Sequence, residues 1–377
     1  MTHRERVLAA LHRQEPDRVP LDLGGTFAST ITLKCYQRLK AKLGVEQPTL
    51  VMSRRSQVAY PHEEVLLRFD IDTRGIQPRS PSGWQDKVFP DGSYEDEWGV
   101  VRSLPPEGGH YYVSGPPLAG DPDPKRIESH PWPDPHDPGL VEGIAEEAKR
   151  LHQETDFAVI LNLPVGLVHQ SQFLRGYEEW LVDLLLHPGF AEALLDKVLE
   201  IQCIIGERMV EAAGDNIDLL FYGDDIAFQG GPMISPPLYR SLIKPRHRQL
   251  FSRLKAKARV PLLFHSCGSV YSLLDDLIEI GVDCINPVQV SAKDMDTRRL
   301  KREFGDRLSF WGAIDTHRVL PFGSPEEVRA EVKRRIEDLG PGGGYILASV
   351  HNLQPEVPPE NILAMFEAAL EFGRYRH

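Results

Sequence analysis

Eight short apolar runs, rich in β-branched residues, punctuate the chain, each ending in Gly, Asp, Asn or His and followed by an amphipathic stretch. They read "RVPLDLGG", "IDTRGIQ", "FAVILNLPV", "IDLLFYGDD", "PLLFHSCGS", "CINPVQV", "LSFWGAID" and "GGYILASVHN". Alternation of this kind is the pattern of strand, loop and helix, and eight is the number of strands that closes a (β/α)8 TIM barrel. The fold class expected is therefore α/β, with the whole chain, 1–377, as one barrel domain.

The stretches between the runs fit helices. "GFAEALLDKVLEIQCIIGERMVEAAG" repeats apolar residues at helical spacing and closes on Gly214, a C-cap residue type. "PPLYRSLIKPRHRQLFSRLKAKA" starts after Ser235 with prolines in its first turn, and Pro245 predicts a kink inside it. "SVYSLLDDLIEIGVD" and "SPEEVRAEVKRRIEDLG" are shorter amphipathic helices, the second opened by Ser324 as N-cap with acids in its first turn. No G-x-G-x-x-G follows the first run, which argues against an open dinucleotide-binding sheet.

One segment breaks the rhythm. From Pro78 to about Pro138, after the second run, Pro, Gly and aromatic residues dominate, and "WQDKVFPDGSYEDEWGVVRS" carries the hairpin-turn pair Asp91-Gly92. The expectation is a β-hairpin insertion followed by a Pro-rich connector, serving as a lid or as a homodimer contact.

Composition narrows the function classes. A hydrophobic fraction of 41% and a charged fraction of 26% are those of a globular enzyme, and a formal net charge of -12 opposes nucleic-acid binding. No apolar window reaches the roughly 18 residues needed to span a bilayer, and "MTHRERVLAALHRQ" lacks an apolar signal core, so a cytoplasmic location and no membrane partner are expected. The four cysteines, Cys35, Cys203, Cys267 and Cys284, make no disulfide framework in so long a chain.

In a barrel the chemistry gathers where the strands end. The fourth run ends in Tyr222, Asp224 and Asp225, the fifth in His265 and Cys267, the sixth in Asn286 and Gln289, the seventh in Trp311 and Asp315, the eighth in His351 and Asn352. His265 and Cys267 stand two apart on a strand, so both side chains share one face. Three readings stay open for them: two metal ligands, a nucleophile with its base, or a hydrogen-bonded core pair. As metal ligands they need a third, and His351 is the best placed by run order, giving a His-Cys-His set for zinc with one position left open. Asp224, Asp225 and Asp315 are candidate acids or bases, with helix capping as the alternative, while Tyr222, Asn286, Gln289 and Trp311 are candidate substrate contacts. The glycines of "LGPGGGYIL" precede a strand, so they read as a tight turn rather than a phosphate loop.

The stretches "HSCGSVYSLLDDLIEIGVDCINPVQ", "LKREFGDRLSFWGAIDT", "GGGYILASVHNLQPEVPPENILAMFEAA", "YGDDIAFQGGPMISPPLYRSLIKP" and "RERVLAALHRQEPDRVPLDLGG" resemble the uroporphyrinogen decarboxylase-like superfamily nearly end to end. The resemblance implies a TIM barrel. It divides between two branches. True decarboxylases are cofactor-free and carry an "RQAGR"-type signature whose arginines bind substrate carboxylates, whereas the corresponding "LDLGGTFAST" has no arginine. "LLRFDIDTRGI" places Asp70 or Asp72 near the decarboxylases' catalytic aspartate, and His351 matches their Gly-His-Gly histidine. The cobalamin-dependent methyltransferases instead have a zinc site resembling His-x-Cys plus a later Cys before P-x-T-P-x-x-N. His265 and Cys267 match its first part, and "HNLQPEVPPEN" puts His351 at the later cysteine. That branch implies a zinc-dependent methyltransferase moving a methyl group between a corrinoid and a small acceptor or methoxylated donor, with the corrinoid carried by a partner protein. The alternatives are a metal-free decarboxylase of a carboxylated substrate using Asp72 and His351, and a non-catalytic barrel that binds a tetrapyrrole or a partner.

Overall fold

The computed structural model describes residues 1–375. Seven of the eight runs form one parallel sheet: β1 (Thr73–Ile76), β2 (Ala158–Asn162), β3 (Leu219–Gly223), β4 (Leu262–His265), β5 (Cys284–Asn286), β6 (Ser309–Ile314) and β7 (Tyr345–Ser349), paired in that order. The first run supplies the eighth position without forming a regular strand. Pro20 accepts from the Leu347 N–H at 2.9 Å and Leu21 from the Asp72 N–H at 2.9 Å, so residues 20–22 lie between β7 and β1 and join the two edges of the sheet.

The period-two alternation sorts side chains into two separate cores. Ala158, Ile160, Leu219, Phe221, Leu263, Cys284, Trp311, Ile346 and Ala348 form an inner cluster, joined by Val7, Ala10 and Leu11 of the N-terminal helix His3–Leu11. That helix closes the N-terminal end of the ring. Their strand neighbours Val159, Leu161, Leu220, Tyr222, Leu262, Phe264 and Ile285 pack outward against the helices in a larger cluster. Helices α1 (Leu167–Arg175), α2 (Pro188–Ala213), α3 (Lys244–Lys257), α4 (Pro325–Leu339) and α5 (Pro359–Phe372) cover this outer face, with Ser324 capping α4 in a capping box. Pro245 sits in the first turn of α3, and the predicted kink takes the form of a π-helical turn, Tyr239–Ile243, immediately before it.

The segment between β1 and β2 differs from a single hairpin. Lys87–Val88, Tyr94–Glu95, Val101–Ser103 and Tyr112–Gly115 make a four-stranded antiparallel sheet in sequence order, with Asp91-Gly92 turning the first pair. A short helix, Pro124–Ser129, interrupts the Pro-rich stretch behind it. No helix among the described residues is long and apolar enough to cross a membrane.

Candidate metal centre

Register decides which groups meet. Gly223, His265 and Asn286 are in line across β3, β4 and β5, so their side-chain positions share the inner face at the C-terminal end of the ring. Gly223 contributes no side chain there; a Cβ would come within 3.1 Å of the Phe27 ring. Asn286 sets the orientation of His265: its Oδ1 lies 2.5 Å from His265 Nδ1, which makes Nδ1 the protonated nitrogen and leaves the Nε2 lone pair facing the mouth.

Cys267 follows on the loop after β4. Its Sγ lies 3.6 Å from His265 Nε2, and one ligand atom each from His265, Cys267 and His351 fall within 4.8 Å of one another. Bond lengths to zinc of about 2.05 Å for nitrogen and 2.3 Å for sulfur give a tetrahedral N···S edge of about 3.6 Å, so the His265-Cys267 separation fits that metal. The loop is held in place by its backbone. Cys267 N–H donates to Asp225 Oδ1 at 2.7 Å, Gly268 N–H to Gln289 Oε1 at 2.6 Å, and the Ile226 N–H to Ser266 Oγ at 3.1 Å. Gly268 turns the chain at φ 87°, and a Cβ there would lie 2.6 Å from the Phe228 backbone.

The electrostatics suit a cation. Burial lowers the pKa of His265, and burial with the neighbouring His265 pushes His351 down to about 3, so both imidazoles are neutral and able to ligate near pH 7. Burial and then Asp225 raise the Cys267 thiol well above its usual range, so the thiol is protonated without a cation, and a bound metal would have to displace that proton to gain a thiolate ligand. Burial opposes ionisation of Asp225, yet His169, His265 and the Cys267 N–H outweigh it and hold this carboxyl low. Asp225 thus brings a negative charge 3.7 Å from His265 Nε2 and 3.5 Å from His169 Nε2.

Several expected roles change. Asp72 is fully buried at the start of β1, at the opposite end of the ring, where Arg6, Arg18 and His3 surround it at 2.6–2.7 Å; it anchors the N-terminal helix rather than facing substrate. Asp224 points outward and accepts from the Val168 and His169 N–H groups at the start of α1, both at 2.9 Å, with His247 Nε2 also at 2.9 Å. It caps a helix, but the preceding one. Tyr222 has the outward parity too; its hydroxyl donates to Gln202 and accepts from the Leu167 N–H. Trp311 is fully buried in the inner core, its Nε1 donating to Asp22 at 2.9 Å, and Asp315 accepts from the His317 and Arg318 N–H groups in its own turn. Asn286 and Gln289 hold His265 and the Gly268 loop.

A chamber of about 90 Å³ lies against His265 and His351, lined also by Asp225, His169 and Arg55. Phe27, Arg55, Ser56 and Val165 separate it from a larger cavity of about 340 Å³ under the four-stranded sheet, and line both. His169, at the start of α1, and Arg55, on a connecting turn, were not singled out from the sequence. His169 follows the third run by a few residues, which is the available signal; nothing local marks Arg55.

Residues 112–372 match the model of the uroporphyrinogen decarboxylase (URO-D) family. A uroporphyrinogen decarboxylase from Alkalilimnicola ehrlichii is 24% identical over 99% of this chain and 95% of its own length. A methylated-thiol--coenzyme M methyltransferase from Methanosarcina mazei is 24% identical over 68% of this chain and 65% of its own length. The chain spans only about a third (34%) of a further decarboxylase, from Methylococcus capsulatus. Among solved structures, a methyltransferase from Methanosarcina mazei superposes with a TM-score of 0.70 at 20% identity, covering 99% of both chains, which shows a shared fold.

Proposed function

The chain belongs to the uroporphyrinogen decarboxylase (URO-D) family, and within it we propose that this protein is a zinc-dependent methyltransferase acting on a small molecule, with a corrinoid on a separate protein as methyl carrier. The observation that carries this reading is the convergence of His265, Cys267 and His351 at the mouth of the ring, with ligand atoms within 4.8 Å. The methylated-thiol--coenzyme M methyltransferase of Methanosarcina mazei, a relative with methyl-transfer activity, supports this reading. Decarboxylation through Asp72 is disfavoured because that carboxylate is enclosed at the far end of the ring by two arginines and a histidine.

His265 Nε2, Cys267 Sγ and one His351 nitrogen would hold the ion and leave a fourth position for substrate. Zinc bound there supplies Lewis acidity, lowering the pKa of an acceptor group placed at that position. The chain's own groups do the rest. Asn286 fixes the His265 ring, and the Cys267 N–H bond to Asp225 fixes the loop. His169 beside Asp225 is placed to take or return the acceptor's proton within the 90 Å³ chamber. A neutral His351 in place of a second thiolate makes the ligand set one charge less negative, which reduces the nucleophilicity of a bound thiol and favours other acceptors.

Elemental analysis of protein purified without chelator is expected to give about one zinc per chain, and His265→Ala or Cys267→Ser should release it. Absence of zinc after metal supplementation overturns the reading. With zinc present, spectral titration of methylcobalamin with candidate acceptors should show demethylation that depends on His265.

A further inference from the structure

The larger cavity holds charges whose pairing is incomplete. Four arginines line it, and three have carboxylate partners: Arg54 with Asp86 at 3.5 Å, Arg102 with Asp96 at 2.8 Å, and Arg79 with Glu147. Arg55 makes no ion pair and no side-chain hydrogen bond among the described residues; its guanidinium lies 5.3 Å from the Phe173 ring. Three acids line the same cavity, and after Asp86 and Asp96 are paired, Glu97 is left without an ion pair among the described residues, its carboxyl meeting only its own backbone N–H. Arg55 and Glu97 do not pair with each other, since no N···O approach falls within 4.0 Å. The wall also includes Gln77 and Gln170, both more than nine-tenths buried, whose amide nitrogens meet no acceptor among the described residues.

Half-buried charges without partners in a cavity wall are unfavourable, and a site that keeps them is suited to completion by a ligand. The two groups respond as unpaired charges do. Burial and Arg102 push Arg55 down to about 10, while burial and Asp96 push the Glu97 carboxyl up, so each is driven towards its neutral form. A ligand with charge of only one sign would relieve one of them and worsen the other. A volume of about 340 Å³ is at the small end of ligand pockets, which suits a small metabolite rather than a tetrapyrrole.

We propose that this cavity takes a small zwitterion, its carboxylate held by Arg55 at the junction with the metal chamber and its ammonium held by Glu97 on the opposite charge position. The guanidinium is suited to the carboxylate because it offers two parallel donors. The inference rests on the methyl-transfer reading only in making this zwitterion the substrate of the metal chamber; the binding site itself needs no metal.

Calorimetric titration of the purified full chain, with zinc content measured on the same samples, tests it. The probes are glycine, 4-aminobutyrate and 6-aminohexanoate, each beside the simple carboxylate and the simple ammonium ion of matching chain length. At least one zwitterion should bind about tenfold more tightly than both of its controls. Arg55→Gln should reduce that zwitterion to the affinity of its ammonium control, Glu97→Gln should reduce it to that of its carboxylate control, and Arg55→Lys should retain part of the preference. No zwitterion exceeding its controls in wild type, or a preference that survives both Gln substitutions, overturns the proposal. The predicted pattern in protein without zinc would sink the methyl-transfer reading and leave this one standing; zinc with no pattern would do the reverse.

Discussion

Replacement of Asp224 by Ala separates a structural role from a catalytic one. The carboxylate accepts three hydrogen bonds at 2.9 Å, from the Val168 and His169 N–H groups and from His247 Nε2, in a fully buried position. Loss of a helix-capping side chain costs about 1–2 kcal/mol, and leaving the buried His247 nitrogen without its partner costs about 1–3 kcal/mol more. We expect a destabilisation of about 4 kcal/mol from the two terms together. At about 2 cal/mol/K of unfolding entropy per residue, a chain of 377 residues then melts about 5 °C lower. Differential scanning calorimetry of wild type and Asp224→Ala reads this directly, with metal content as the companion measurement. Asp224→Asn keeps the shape and part of the capping, and should lose less. An unchanged melting temperature accompanied by complete loss of activity would refute the argument, because it would place Asp224 on the reacting atoms.

Asp72 makes a prediction about pH: burial alone would raise its pKa, but His3, Arg18 and Arg6 outweigh it and the net shift is downward. A depressed carboxyl contributes stability above its unfolded value of about 3.9 and loses it as pH falls through the folded value; the gap in urea stability between wild type and Asp72→Asn should therefore be largest near neutrality and shrink below about pH 4, and a constant gap would contradict this. Asn286→Ala frees the His265 ring and should weaken metal binding by about 10- to 100-fold in competition with a chelator, with little change in melting temperature of the metal-free protein. Gly268→Ala forces a Cβ to 2.6 Å from the Phe228 backbone at positive φ, so it should displace the Cys267 loop and lower zinc occupancy more than Gly189→Ala, whose Cβ meets nothing. His351→Cys replaces an imidazole by a thiolate and should bind zinc more tightly with one additional proton released, measured by titration calorimetry in buffers of different ionisation enthalpy.

Much of the barrel can be read from the chain because strand formation and side-chain parity are local. Seven apolar runs became β1 to β7, but the strand ends at His265, so the two-residue spacing pointed to the right pair for a reason that does not apply: Cys267 lies on the following loop and is brought to His265 by that loop's backbone bonds to Asp225 and Gln289. Asp72 also carried a readable signal: it begins its run rather than ending it, and in a parallel ring that is the far end from the mouth. Asp224 and Tyr222 were less legible. Parity relates Tyr222 to Asp224 but does not say which face is inward, and only the register of Gly223 against His265 turned both of them towards the helices. His351, some 86 residues beyond His265, reaches the site only because residues 20–22 join the edges of the sheet and curve β7 back towards β4. Arg55 and Glu97 lie outside the eight runs and face one cavity only after the inserted sheet folds over the mouth. The sequence by itself determined the alternation, the strand ends and the residue types available for chemistry. Closure of the ring and placement of the insertion decided which of them meet, because those contacts depend on long-range register and packing that no local pattern encodes.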